Sequence, residues 1–248
     1  MISTTHPEAP YQAFIFDLYG TLLDIQTDEQ SPAFWEKLSM HFRYNGARWG
    51  AQELKQAYHH RVTLHLSQKS YTPWPDTPLE PVFADLFEEK GVTPQNNLLE
   101  HTTRFFRILS TQYIFLYPNT IPTLEALVQK GKDLYLLSNA QGGFTRPELD
   151  SLGLTPFFKE IFISSEKGRS KPDPGFLLGL LQQEEIDPSR AIMTGNDLTT
   201  DIQIAYSCGI HSAYLHTNHS RDSWLQDAQE IATHIIPDGD IQHLLSLV

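Results

Sequence analysis

Four places along the chain carry side chains able to do chemistry together. Asp17 could serve as a nucleophile or metal ligand. Ser138-Asn139 offer a hydroxyl and an amide, Lys171 an ammonium, and Asn196-Asp197 with Asp201 a polar, acidic loop. Each has an ordinary structural use on its own: a turn, a solvated charge, a helix cap. Their positions argue for joint use. Asp17 follows the apolar run Ala13-Phe14-Ile15-Phe16, which reads as a strand buried on both faces, and precedes a turn at Gly20. Ser138 follows Leu134-Tyr135-Leu136-Leu137, and Asn196 follows Ala191-Ile192-Met193-Thr194 and Gly195. In an open parallel sheet, groups just past the carboxyl ends of strands face the ligand crevice. Lys171 stands before Pro172-Asp173-Pro174, so it is expected outside the helix that follows, extended toward the same crevice.

The elements that must hold these groups alternate from Pro118 onward. Helices are expected over Ile121–Gln129, Pro147–Leu152, Asp173–Glu185 and Asp201–Ser207, with a last one over Ile241–Leu247. Strands are expected at Leu134–Leu137, Ile161–Ile163, Ala191–Thr194, Ser212–Leu215 and within Ile231–Ile236. This rhythm predicts an α/β fold with a doubly wound parallel sheet. The stretch before it is different. Phe34, Leu38 and Phe42, then Leu54, Tyr58, Val62 and Leu66, recur at helical spacing over Pro32–Arg43 and Gln52–Ser67. Val82–Glu89 and Leu98–Leu109 read as two more helices. The expected organisation is an α/β core of residues 1–24 and 111–248 with an all-helical insertion, 25–110. Trp35, Trp49, Tyr58, Tyr71 and Trp74 are expected to hold that insertion together, and Met1–Pro10 to form a loose leader.

Composition bounds the partners. Of 248 residues 40% are apolar, enough for a real core, and the net charge is −12 without a run of Lys or Arg. That disfavours nucleic acid and anionic membranes, which call for a basic face. Cys208 is the only cysteine, so no internal disulfide or cysteine zinc site can form. No apolar run reaches the length of a membrane span and no signal peptide is evident, so a cytoplasmic protein, monomer or homodimer, is expected. The histidines His59, His60, His65 and His101 are expected on helix surfaces rather than around a metal.

Four segments in order, Asp17-Leu18-Tyr19-Gly20-Thr21, Leu136-Leu137-Ser138-Asn139, Lys171-Pro172-Asp173-Pro174 and Gly195-Asn196-Asp197 through Asp201, resemble the motifs of the haloacid dehalogenase-like hydrolase superfamily. The insertion after the first motif matches the branch with a helical cap there. The resemblance implies a phosphatase for a small phosphorylated metabolite, in which Asp17 attacks and carries a covalent intermediate. Ser138 and Lys171 would act with it, and Leu18, Thr21 and Asn139 would contact the transferred group. A Mg²⁺ would be held by the Asp17 carboxylate, the Tyr19 carbonyl and Asn196, with Asp197 and Asp201 behind.

Two positions depart from the phosphatase pattern. Where a second Asp would protonate the leaving oxygen stands Tyr19, which can donate a proton but is a poor base at neutral pH. Where a carboxylate would bind Mg²⁺ stands Asn196, an uncharged donor. Tyrosine at the first position also occurs in the 2-haloacid dehalogenases of this superfamily, whose chemistry needs no metal. Their halide- and carboxylate-gripping arginine would be Arg43, Arg48 or Arg61 here. A catalytically weakened phosphate- or partner-binding module is the third possibility.

Overall fold

The computed structural model describes residues 10–95 and 97–248; the expected leader, Pro10 apart, lies outside them. The core strands are β1 (Ala13–Phe16), β4 (Asp133–Ser138), β5 (Glu160–Ile163), β6 (Ala191–Gly195), β7 (His211–Leu215) and β8 (His234–Ile236). They form one parallel sheet in the order β5-β4-β1-β6-β7-β8. The chain therefore winds outward from β1 in both directions, and the switch point falls between β1 and β6, where a ligand crevice belongs.

Alternation along β1 explains why both faces are covered. Phe14 and Phe16 pack with Leu124 and Leu127 of α5 (Thr120–Gln129), Leu149 of α6 (Gly142–Ser151) and Leu244 of the C-terminal 3₁₀ turn (Ile241–Leu247). Ala13 and Ile15 point the other way, onto Phe176 and Leu180 of α8 (Pro174–Gln183) and Ile204 of α9 (Gln203–Cys208). A short helix, α7 (Ser164–Lys167), follows β5, and α10 (Trp224–Ile231) sets Trp224 and Ala228 against Tyr214.

Helices α1 (Pro32–Tyr44), α2 (Ala51–Ser67), α3 (Leu79–Glu88) and α4 (Leu98–Ser110) share a second apolar cluster built on Phe34, Trp35, Leu38, Phe42, Leu54, Tyr58, Phe83 and Phe106. Of the expected helical positions Phe34, Leu38, Phe42, Leu54 and Tyr58 are buried, while Val62 and Leu66 are half-buried. Tyr71 and Trp74 are 59% and 42% exposed. The loop carrying them reaches to the core instead, where the Tyr71 hydroxyl donates to the Gly168 carbonyl at 3.0 Å.

Several elements differ from expectation. The insertion is joined to the core through an antiparallel ribbon, β2 (Leu23–Thr27) with β3 (Thr111–Leu116), which spans the anticipated boundaries. Helix α6 begins five residues before Pro147, because the Gly142 amide is satisfied by Ser165 Oγ at 3.0 Å and Phe144 is drawn into the insertion's apolar cluster. The segment after Asn196 is a π-helical turn, Leu198–Ile202, before α9 starts. The predicted strand at Ile231–Ile236 is only its second half. No helix among the described residues is long and apolar enough to cross a membrane.

Candidate active site

Asp17 sits one residue beyond β1, nearly buried at 6% exposure, at the centre of the sheet's carboxyl edge. Its amide donates to Thr194 of β6 at 2.9 Å, which continues the β1–β6 ladder and aims the side chain into the crevice. The chain then turns sharply: the Leu18 carbonyl accepts from the amides of Leu22 and Leu23, and the Leu18 side chain is wholly buried. Gly20 lies at φ +84°, and a Cβ there would stand 2.8 Å from the Asn196 amide. The turn thus needs a glycine for its backbone and for its close approach to the fourth motif.

Lys171 bridges two carboxylates. Its Nζ lies 2.6 Å from Asp17 Oδ1, 2.7 Å from Asp201 Oδ1 and 2.8 Å from the Leu137 carbonyl. Burial alone would pull the ammonium down, but Asp17 and Asp201 outweigh it and hold it above its ordinary value. Burial pushes the Asp201 carboxyl up, against the pull of Lys171. The other oxygen of Asp201 accepts from the Asp197 amide at 3.1 Å. A Cβ on Gly195 would fall 2.2 Å from that oxygen, so glycine is required there too.

The remaining predicted residues take distinct places. Ser138 is buried, with Oγ 3.5 Å from Asp17 Oδ1. The side chain of Asn139 is spent on the backbone of Lys171: Oδ1 accepts from its amide at 2.7 Å and Nδ2 donates to its carbonyl at 3.0 Å. Any contact of Asn139 with a substrate therefore falls to its main chain. Asp197 borders the same crevice and caps the turn after it, accepting from Thr199 and Thr200. The Tyr19 hydroxyl also points away from the nucleophile, donating to Glu148 of α6 at 2.5 Å beside Thr145 at 2.9 Å. Burial, and then the charge of Glu148, raise its pKa far above the ordinary tyrosine value. The Tyr19 side chain is therefore a bound, neutral phenol.

Thr21 shows where a cation would fit. Its hydroxyl is 3.2 Å from both Asp17 Oδ2 and Asn196 Oδ1, so two hard oxygens converge on one point. A single hydroxyl proton serves only one of them at a time, and the other keeps its lone pairs. Oxygen donors of this type suit Mg²⁺. The set contains one available carboxylate, since both oxygens of Asp201 are engaged. No group of three or more His, Cys, Asp or Glu among the described residues could hold a metal.

A cavity of about 320 Å³ opens over these groups, lined by Asp17, Asn139, Lys171, Asn196 and, unanticipated from the sequence, His219. A second of about 380 Å³ adjoins it at Tyr19 and Asn139 and lies between the insertion and the core. There Arg107 of α4 rests over the rings of Tyr19 and Phe144 and pairs with Glu148 at 2.6 Å. Arg107, Glu148 and His219 escaped sequence reasoning because no motif contains them. Of the arginines singled out, Arg61 pairs with Glu89 and Arg43 and Arg48 are exposed. It is Arg107 that borders the site.

A family model for haloacid dehalogenase-like hydrolases matches residues 11–209. The chain belongs to that family. It is 25% identical over 219 residues to the pyrimidine 5'-nucleotidase PynA of Streptococcus pneumoniae (strain ATCC BAA-255 / R6), covering 84% of this chain and 85% of that one. It is 32% identical over 108 residues to phosphoglycolate phosphatase 1 of Pseudomonas aeruginosa, covering 43% of this chain and only 39% of that protein. Among solved structures, the 2-haloacid dehalogenase of Pseudomonas syringae pv. Tomato DC3000 superposes with a TM-score of 0.67 at 20% identity, over 96% of this chain and 97% of that one. At that identity the match speaks for the fold. This haloacid dehalogenase-like hydrolase thus has the family's α/β core, with its strand-end groups converging on Asp17.

Proposed function

We propose that the chain is a phosphoric monoester hydrolase for a small phosphorylated metabolite, cytoplasmic and either monomeric or homodimeric. The observation that carries this reading is the buried Asp17–Lys171–Asp201 triad beneath an open cavity. Lys171 holds Asp17 in one orientation and offsets one of two negative charges, leaving the triad at −1. A phosphate dianion would be repelled by that charge, and a bound Mg²⁺ would reverse it. Asp17, the Tyr19 carbonyl and Asn196 would hold the ion, which supplies charge neutralisation for the transferred group. Phosphoryl transfer needs mostly such positioning and neutralisation.

In this reading Asp17 attacks phosphorus and the bond to the leaving oxygen breaks. Water then cleaves the aspartyl phosphate. Ser138 and the main chain at Leu18 and Asn139 hold the equatorial oxygens, and Thr21 steadies the nucleophile. The helices of residues 25–110 act as the cap, and the leaving group occupies the cavity bounded by Tyr19, Arg107 and Phe144. The named functions of PynA and phosphoglycolate phosphatase 1 support the reaction class.

Carbon–halide hydrolysis is the second reading. It is favoured by the tyrosine at position 19, whose hydroxyl is held by Glu148 away from Asp17, and by the uncharged Asn196. A panel of phosphate esters assayed for phosphate release, beside 2-chloropropionate assayed for halide, separates the two. Phosphate release stimulated by Mg²⁺ is expected. Halide release alone would establish the second reading, and binding without turnover would leave a phosphate-binding module.

A further inference from the structure

We propose that His219, oriented by Asp24, is the acid and base of the reaction at Asp17, replacing the carboxylate that position 19 lacks. The inference rests on the phosphatase reading above. His219 lines the same cavity as Asp17, Lys171 and Asn196. Its Nε2 lies 2.8 Å from Asp24 Oδ1, which leaves Nδ1 for a reacting group. Asp24, at the start of the ribbon, is itself fixed by Asn218 Nδ2 at 3.2 Å and the Tyr113 hydroxyl at 3.3 Å. Burial would raise its carboxyl, but the hydrogen bond from His219 and then that from Asn218 bring it below its ordinary value, so it stays anionic beside the imidazole. This is the arrangement of a histidine held by a carboxylate for proton transfer.

The loop bearing His219 is anchored on both sides of the site. Thr217 Oγ1 donates to the Gly20 carbonyl at 2.8 Å, and Ser220 Oγ donates to the Asn196 carbonyl at 2.9 Å. The other titratable groups of this cavity are committed elsewhere. Tyr19 donates to Glu148, Asp201 and Lys171 bind one another, and Asp197 caps the π-helical turn. The charged neighbours that set the behaviour of His219 are thus Asp24 from the ribbon and Asp17, Asp197, Asp201 and Lys171 across the cavity.

The proton balance closes. Protonated His219 gives its proton to the leaving oxygen as the phosphorus–oxygen bond breaks and Asp17 becomes phosphorylated. The resulting neutral imidazole takes a proton from water as that water attacks phosphorus, and Asp17 departs as a carboxylate.

The test compares wild type, His219→Gln and Asp24→Asn on p-nitrophenyl phosphate and on glycerol phosphate, with Mg²⁺, across pH 5–9. His219→Gln is expected to lose about 10²–10⁴-fold in kcat on glycerol phosphate. On p-nitrophenyl phosphate, whose leaving group needs no proton, it should release one burst of nitrophenol per enzyme and then stall as the phosphoenzyme. The pH profile of wild type should be altered in both His219→Gln and Asp24→Asn. Unchanged rates and pH profile in His219→Gln overturn the proposal alone. So does an equal loss on both substrates without a burst. A wild type that turns over neither ester overturns it together with the phosphatase reading.

Discussion

Lys171 is the residue on which site and stability depend together. It is 3% exposed and stands between two carboxylates that would otherwise face each other in the interior, offsetting one of their two charges. Breaking a buried ion pair from one side costs about 3–5 kcal/mol, because charge is left without a partner. Lys171→Met should therefore lower the urea midpoint by that equivalent as well as abolish turnover. Loss of activity with the midpoint intact would show that the triad relaxes freely. Asp17, Ser138 and Lys171 were legible in the sequence because each abuts an apolar strand or a Pro-bounded helix start. The use of Asn139 was not, since its side chain finds the Lys171 backbone, 32 positions away, only after β4 and the loop before α8 pack together. The orientation of Tyr19 was hidden for the same reason: Glu148 and Thr145 meet it through α6, whose start the sequence disguises with Gly142 and Gly143.

At the scale of elements, two close approaches hold the loops in place. Gly195→Ala would drive a methyl into the Asp201 carboxylate, displacing the partner of Lys171. A protein that folds but has lost most of its turnover is expected, by circular dichroism and initial rates. Wild-type rates would mean that Asp201 can move without consequence. The contact of α4 with α6 makes a separate prediction. Arg107 and Glu148 are largely buried, at 12% and 17% side-chain exposure, and their pair ties the insertion to the core. Arg107→Met should cost about 1–3 kcal/mol by leaving Glu148 short of a charged donor, and should raise KM more than it lowers kcat. An unchanged KM would place the leaving group elsewhere than the cavity beside Arg107. The alternation of helix and strand that builds the sheet was readable throughout. The β2–β3 ribbon was not, because Leu23–Thr27 mixes polar and apolar residues and β3 directly follows α4 without a break residue.

For the whole molecule, the buried tyrosines set the alkaline limit. Burial, reinforced by Glu148 for Tyr19 and by Glu29 and Asp76 for Tyr58, raises both hydroxyls well above the free value near 10. Lys171 is likewise raised. A raised group contributes its stability in full below the unfolded pKa and loses it as pH climbs toward the folded one, because the unfolded chain releases its protons first. Stability to urea should be level from pH 7 to about 8.5, begin to decline as the unfolded chain loses the proton that burial holds on Cys208, and fall steeply above about 10, with a shallower fall in Tyr19→Phe. A flat profile to pH 11 would contradict this. The acidic whole, at −12, agrees with a small anion entering one locally neutralised pocket rather than a polyanion spread over a surface.

If Asp17 performs metal-assisted phosphoryl transfer, hydrolysis of p-nitrophenyl phosphate must depend on both the residue and the ion. Wild type and Asp17→Asn are compared in Mg²⁺ at roughly 5 mM, enough for a weakly held ion, and again in EDTA. Wild type is expected to turn over in Mg²⁺, and activity to be lost both in EDTA and in Asp17→Asn. Turnover that survives Asp17→Asn would contradict that role.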